Sequence, residues 1–581
     1  MQHKVDENKL KLSVIENLKT ILKTIGVIDQ GINNFDSKLS LGENYDFFFK
    51  ASKNILTDDH RASFLFLSLF LRYPQPQELK LVAFQLRYLG TQATLSGLLE
   101  KELPAIGKVI GTNPDVVYVE VTHTSQYMHN SGIQRVVRSL CAALRKNKKN
   151  IKLINWVAPG RPFILPEKNL SLAVTWKQPI ALSKTSRGFF KNKWIIRLPF
   201  LKTLIKRFFT LPSAALIPAS QFLIDHLLYE TNLSHKLRTH LERYKLGLVT
   251  FRGEPIEEEL KNKVVNAEEE VLVFWKTKFF VPELVCEDYR YEAIFGLREA
   301  GLIELSCVIY DLIPVFNPEF CVPPLRAQFV QYLKILRYAD RISCISESIA
   351  QELRSAMKCV SRRIATEPLI EAHLLAGDFS NQIESDLESA KAIPADNLPM
   401  VLCVGTLEPR KNGRNVLRAA VSLMKQGLKF RLIFAGNPGW LAAEFMEEVR
   451  KYQNEGLNVL VFNSVSEGFL KYLYQNTRVS MFCSFAEGFG LPILESLHFN
   501  KPVITSHFGS MKEIADHFGG CIQVDPFSIH EIAESIKAVV TDDLKYQSLV
   551  RSIHLNKAPT WDSYSESLMS FVDPAYGLKK N

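Results

Sequence analysis

The chain has 581 residues, of which 46% are apolar and 23% charged, and a formal net charge of +10 at pH 7. That length exceeds what one hydrophobic core serves, so two or three domains are expected, and the balance excludes wholesale disorder and a multi-span membrane protein. No low-complexity tract or internal repeat interrupts it.

Residues 1–112 predict an α-helical domain of their own. Leu10, Val14, Ile15, Leu18, Ile21, Leu22 and Ile25 recur at helical spacing, and the pattern resumes through "LKLVAFQLRYLGTQATLSGLLEKEL". The apolar run "ASFLFLSLFL" at 62–71 is about half the roughly 20 residues that a membrane span needs, which predicts a buried helix. The first residues carry no apolar segment followed by a small-residue cleavage site, so a cytoplasmic protein is expected. Nothing in these helices offers chemistry, and docking or oligomerisation is their expected role.

After "GTNP" the pattern changes. "DVVYVEV" predicts a strand and "GIQRVVRSLCAAL" a helix, the opening of a βαβ unit in a first Rossmann-like domain, residues 113–390. "IKLINWV", "EVLVFW", "LSCVIYDLI" and "RISCIS" are further strands. Within this domain the window from Lys168 to Ile224 holds ten Lys and Arg and no Asp or Glu, which equals the whole positive excess. Lys191, Lys193, Trp194, Arg197, Lys202, Lys206 and Arg207 interleave cations with apolar groups. That suits an anionic membrane surface at the inner face of the cytoplasmic membrane, where each cation contributes about 1 kcal/mol. A solvated basic face is the plainer alternative. Nucleic acid is not expected as a partner, since no recognition motif accompanies the charge.

The polar stretch 376–398 is expected to link this domain to a second, residues 391–557, with a C-terminal helix at 558–581 packing back on the first. In the second domain "PMVLCVG", "FRLIFAG", "NVLVFN", "RVSMFCS", "KPVITS" and "GCIQVD" alternate with helices, which implies a parallel sheet with ligands at its carboxyl edge. Nine cysteines without a C-x-x-C pair predict reduced, mostly buried thiols, with no disulfide and no metal site.

Two stretches of this second series carry chemistry. In "GTLEPRKNGRNVL" Gly405 permits a sharp turn, and Arg410 and Lys411 precede a helix opening near Asn412. A guanidinium fork, a point charge and free helical N–H groups together suit a diphosphate. In "CSFAEGFGLPILES" Gly488 and Gly490 permit close backbone approach, and the N–H groups of Phe489, Gly490 and Leu491 can face an anion. Glu487 and Glu495 stand about two helical turns apart, so they can address two parts of one extended ligand. The plainer alternatives are a helix-start charge for Glu487 and an exposed helix position for Glu495.

Taken in order, "VGTLEPRKN", "FAGNPGW", "AEGFGLPILES" and "KPVITSHFGSMKEIA" resemble, over roughly 160 residues, the nucleotide-sugar half of the retaining glycosyltransferases of family 4. "VEVTHTSQYMHNSGIQRVVRSL" and "CVIYDLIPVFNPEF" are similar to a bacterial branch of that family associated with surface-polysaccharide assembly. The resemblance implies an α/β fold of the GT-B kind: two Rossmann-like domains facing across a cleft, here preceded by the helical domain. It also implies transfer of a hexose or deoxyhexose, with retention, from a nucleotide-diphosphate sugar to a saccharide or lipid-linked saccharide acceptor, with no cofactor or metal.

By the same resemblance Arg410 and Lys411 would hold the diphosphate, Glu487 the sugar hydroxyls and Glu495 the ribose. Gly405, Thr406, Glu408, Gly436, Phe489, Gly490 and Leu491 would line the donor, and Gly132 would approach from across the cleft. Many relatives carry His-Asp where this chain has Tyr310-Asp311. Asp311 then either meets the sugar or caps the "LIP" turn, and His123 or His129 could supply an imidazole. The rival reading is a non-catalytic sugar-nucleotide-binding or scaffold subunit.

Overall fold

The computed structural model describes residues 7–27, 34–102, 104–126, 132–147, 150–158, 160–165, 270–284, 290–359, 367–377, 386–556 and 558–575. The described residues up to 165 and from 271 onward belong to one compact unit. Lys191, Lys193, Trp194, Arg197, Lys202, Lys206, Arg207 and His129 lie outside the described residues.

Five helices come first: Glu7–Thr24, Leu41–Ala51, Asp58–Phe70, Pro76–Tyr88 and Gly90–Leu99. Their starts are encoded locally. Ser40 and Thr57 each cap the N–H three residues on, and Glu43 and His60 reach back, so two exposed donors are satisfied at each end. The run from Ala62 to Phe70 is wholly buried, as its apolarity predicts. These helices do not keep a core to themselves, contrary to the expected separate domain. Leu18, Phe48 and Phe66 belong to one apolar cluster with Phe274, Leu305 and Ile342 of the following sheet region. Each such side chain contributes about 1.5–3 kcal/mol by leaving water, which makes the extension part of the fold.

Strand β1 (Lys108–Gly111) pairs with β5 (Glu270–Val273) in a two-stranded ladder outside the large sheets. "EVLVFW" therefore forms a strand, but not one of the main sheet. Tyr73 fastens this ladder to the helices: its hydroxyl donates to Leu272 O (3.0 Å) and accepts from Phe274 N (2.7 Å).

The first large sheet contains β2 (Val117–Glu120), β3 (Ile151–Ala158), β4 (Arg161–Ile164), β6 (Thr277–Val281), β7 (Ile303–Ile309), β8 (Arg341–Cys344) and β9 (Leu369–Ala372). Its order is β4-β3-β2-β6-β7-β8-β9, parallel except for the β3–β4 pair. The second contains β10 (Met400–Val404), β11 (Arg431–Ala435), β12 (Val459–Phe462), β13 (Val479–Phe482), β14 (Val503–Ser506) and β15 (Cys521–Val524), ordered β12-β11-β10-β13-β14-β15 and parallel throughout. All six strands of this sheet were expected. Each reads as a continuous apolar run because helices cover both faces.

This is the GT-B architecture, two Rossmann-like layers with helices before them. Their carboxyl edges meet. Tyr310 follows β7, Ser346 follows β8 and Gly377 follows β9; Ser346 Oγ donates to Gly488 O (3.1 Å), and a β-carbon on Gly377 would lie 2.5 Å from Leu494. Glu513 accepts from Glu347 N (2.9 Å) and Ser348 N (3.0 Å), so an acid of one half caps the helix Glu347–Cys359 of the other. One apolar cluster joins Val119, Val308 and Ile345 to Phe482, Phe489 and Ile493. The helix Trp561–Val572 packs on the first half, with ion pairs Lys146–Asp562 (2.6 Å) and Lys278–Asp573 (2.9 Å).

Candidate functional site

In each sheet the chain winds out in both directions from its first strand, and a crevice forms where the order reverses. In the second half that point lies between β10 and β13. The two chemistry-bearing stretches are the loops that leave these strands. Gly405 turns at a φ of +133°. It passes so close to the next loop that a β-carbon on Gly436 would lie 1.9 Å from Gly405 O. Pro409–Lys411 forms one short 3-10 turn, and Asn412 adopts the left-handed conformation, φ +57°, before the helix Gly413–Lys425. Asparagine tolerates that conformation better than most residues. Its buried amide donates to Cys483 O (2.9 Å) and Pro526 O (2.8 Å), tying the cation loop to the end of β13.

The turn "AEGFGLP" lies against this loop. Arg410 Nη1 stands 2.7 Å from Glu487 Oε2 and donates to Ala486 O (2.7 Å), while Nη2 donates to Glu408 Oε1 (2.7 Å). Lys411 Nζ donates to Glu487 Oε1 (2.5 Å) and lies 5.0 Å from the centre of the Phe482 ring. Glu487 thus holds one oxygen on each cation. Burial pushes its carboxyl up, but Arg410 and Lys411 outweigh that and hold it down at about 2. Burial lowers Lys411 against the pull of Glu487. The two acids and two bases balance in charge.

Asp311 enters from the other half. Its carboxylate accepts from Ile313 N (3.1 Å), so it does cap the turn, and it also lies within electrostatic reach of Arg410, Lys411 and Glu487. Burial raises it, with Arg410 opposing. Tyr310 is buried and donates its hydroxyl to Pro282 O (2.6 Å). A cavity of about 480 Å³ opens beside the cations, lined by Gly405, Thr406, Glu408, Lys411, Phe445 and Phe485.

The remaining expected residues fall as follows. Phe489 is core, and Gly490 (φ +136°) starts the helix Leu491–His498, which has no side-chain cap. Gly488 admits a close approach, but by protein: a β-carbon there would stand 1.8 Å from Tyr310 O. Glu495 is 3% exposed, which overturns the alternative of an exposed helix position. Its oxygens take Arg135 Nη1 (2.9 Å) and the Tyr474 hydroxyl (2.8 Å). Gly132 opens the helix Gly132–Lys146 with open space around its α-carbon.

Several residues at the first sheet's reversal point, between β2 and β6, escaped the sequence reading. Arg290 Nη1 contacts both oxygens of Glu120 (2.8 and 2.9 Å) and Glu283 Oε2 (3.0 Å), all fully buried. Burial raises the Glu120 carboxyl, against the pull of Arg290. Glu283 accepts from His123 N (2.9 Å) and Thr124 N (2.6 Å), and His123 Nδ1 lies 3.2 Å from Gln134 Nε2. The only signal was an acid ending the strand "VYVE" with a distant arginine to match, which spacing does not reveal. Among the described residues no group of three or more His, Cys, Asp or Glu could hold a metal ion, and no helix is long and apolar enough to cross a membrane.

The family model described as Glycosyl transferases group 1 matches residues 385–553, the half that carries the cation pair. The chain is 30% identical over 247 residues to the serotype-specific mannosyltransferase WbdA of Escherichia coli, covering 41% of this chain and 29% of that protein. It is 33% identical over 162 residues to the O-antigen chain mannosyltransferase B of Escherichia coli, covering 26% of this chain and 42% of that one. The chain thus spans less than half the length of either relative. Among solved structures it is similar to Anabaena Alr3699/HepE in complex with UDP and glucose, at 13% identity and a TM-score of 0.46 over 81% of this chain and all of that one.

Proposed function

We propose that the chain is a retaining glycosyltransferase that moves a hexose, mannose first among the candidates, from a nucleoside-diphosphate donor to a glycan or lipid-linked saccharide in surface-polysaccharide assembly. The observation that carries this reading is the Arg410–Lys411–Glu487 constellation at the reversal point of the second sheet, faced by Asp311 of the first. The two Escherichia coli relatives are mannosyltransferases, which supports mannose.

Without a donor, Glu487 and Glu408 together balance the charges of Arg410 and Lys411. A donor diphosphate offers them a stronger anion, and Glu487 is then released to accept from sugar hydroxyls beside its former partners. As the bond from the anomeric carbon to the diphosphate oxygen breaks, negative charge grows on the leaving group. Arg410 and Lys411 stabilise it without moving far, in the role a metal ion fills elsewhere. The acceptor oxygen bonds to the anomeric carbon from the same face, and its proton passes to the departing diphosphate. Asp311 orients the sugar or the acceptor.

The reading is tested by incubating the full chain with GDP-mannose, UDP-glucose and dTDP-rhamnose, and following nucleoside-diphosphate release with and without saccharide acceptors. Release from one donor, accelerated by an acceptor and giving a product with that donor's anomeric configuration, is expected. A chain that binds a donor yet releases nothing from any of them would instead be a binding subunit.

A further inference from the structure

We propose that Phe527, Phe485 and Phe320 form an aromatic platform at the rim of the cleft, on which a pyranose ring of the acceptor saccharide stacks. This rests on the glycosyltransferase reading above. Phe485 stands between β13 and the turn "AEGFGLP". Its N–H donates to Arg410 O (2.8 Å), which ties it to the cation loop, and it lines the cavity that Lys411 also borders. On one side its ring stacks on Phe320 of the first half, with 5.8 Å between centres and 2° between planes. On the other it lies 4.7 Å from the ring of Phe527, which is 70% exposed in the loop between β15 and the helix Ile529–Thr541.

Both flanks of the platform are fastened. Phe527 N donates to Asp525 Oδ1 (2.9 Å), and Pro526 O accepts from the amides of Asn412 (2.8 Å) and Asn415 (3.1 Å), so the exposed ring is held to the cation loop. Arg326 donates twice to Cys321 O (2.9 and 3.1 Å), and Phe320 packs against a small apolar cluster of Ile313, Cys321 and Ala486. A lone exposed phenylalanine is ordinary, but one joined to two half-buried rings and pinned beside a charged site marks a surface built to meet a ligand. A pyranose suits it, because one face of the sugar carries C–H groups that lie flat on an aromatic face while its edge carries hydroxyls. Glu408, Arg414 and Asn415 border the same cavity and offer those hydroxyls partners, which a lipid chain would not use. Position favours the acceptor over the donor's base. Ile313 is two residues from Asp311 and Phe485 is held by Arg410, so the rings flank the cations, on the side from which same-face attack comes.

The test is saturation-transfer NMR of mannobiose, maltose and lactose with the full chain and with Phe527→Ala, Phe527→Leu and Phe527→Trp, with acceptor and donor KM measured beside it. Exposure of Phe527 means that each variant should fold. For the disaccharide the wild type binds, Phe527→Ala should weaken binding by about fivefold or more and lose saturation of the sugar C–H protons. Acceptor KM should rise by the same factor and donor KM stay put. Phe527→Trp should keep binding, whereas Phe527→Leu, apolar but without a flat face, should not. Unchanged binding by Phe527→Ala, or full binding by Phe527→Leu, would overturn the inference. A rise in donor KM in place of acceptor KM would assign the ring to the donor's base and overturn it as well. Wild type that transfers no sugar yet binds a disaccharide through Phe527 overturns the transferase reading and leaves the saccharide platform standing. Wild type that binds none of the three disaccharides overturns the platform whatever its activity.

Discussion

The carbonyl oxygen of Tyr310 lies where a side chain on Gly488 would have to begin, 1.8 Å from the position of its β-carbon. The glycine of the "AEGFGLP" turn thus admits the backbone of the facing half, at the point where Asp311 approaches the cations. Gly488→Ala should force the two carboxyl edges apart, costing about 1–3 kcal/mol of stability and most of the transfer activity. Gly97→Ala makes the contrast, because nothing lies within 4 Å of its β-carbon position in a helix. It should leave activity intact and change stability by under about 1 kcal/mol. Paired thermal melts and donor-turnover assays check both.

Lys411→Ala and Glu487→Ala should each lower transfer by about 100-fold or more with a folded chain, since on the proposed reading each removes a group that meets the donor. Steady-state turnover beside circular dichroism decides it. Near-normal rates in either would remove the assignment of the site.

Glu487 also links the site to acid stability. Its folded-state pKa of about 2 lies below the ordinary 4.5, so the ionised form is favoured by folding. The stabilisation is fully present above pH 4.5 and is lost as pH falls toward 2, amounting to on the order of 3 kcal/mol. Urea melts of wild type and Glu487→Gln from pH 7 to pH 2 should show a shallower acid limb in the variant. Parallel limbs would mean that the carboxylate is not held by the cations.

Closure of the halves has a second, separable contact in the cap that Glu513 places on Glu347 N and Ser348 N. Glu513→Ala should cost about 1 kcal/mol, as loss of a helix cap does. It should also raise amide exchange at those two positions, measured by mass spectrometry. Exchange confined to the second half would show that the cap does not operate across the cleft.

Much of this was legible in the chain. The strands from Met400 to Val524 could be read because parallel strands buried on both faces leave continuous apolar runs, and the capped starts at Ser40 and Thr57 are local chemistry. The acids at 487 and 495 stand out because few charges surround them, and the cations at 410 and 411 because they are adjacent in the loop that leaves a strand. Strand β6 was missed because "TKFFV" is short and follows directly on the more apolar "EVLVFW", which forms a strand elsewhere.

The sequence by itself determined the two alternating series, the loops that carry charge and the order in which they leave their strands, since periodicity and turn chemistry act over a few residues. Only tertiary structure decided what those charges meet. Glu487 lies on two cations 76 and 77 positions away, Glu495 on an arginine of the opposite half, and Glu120 on Arg290 beneath the first sheet's reversal point. Pairings over such separations depend on where the sheets place their carboxyl edges. Burial then makes each uncompensated charge too costly to leave alone, and that is settled by the fold as a whole.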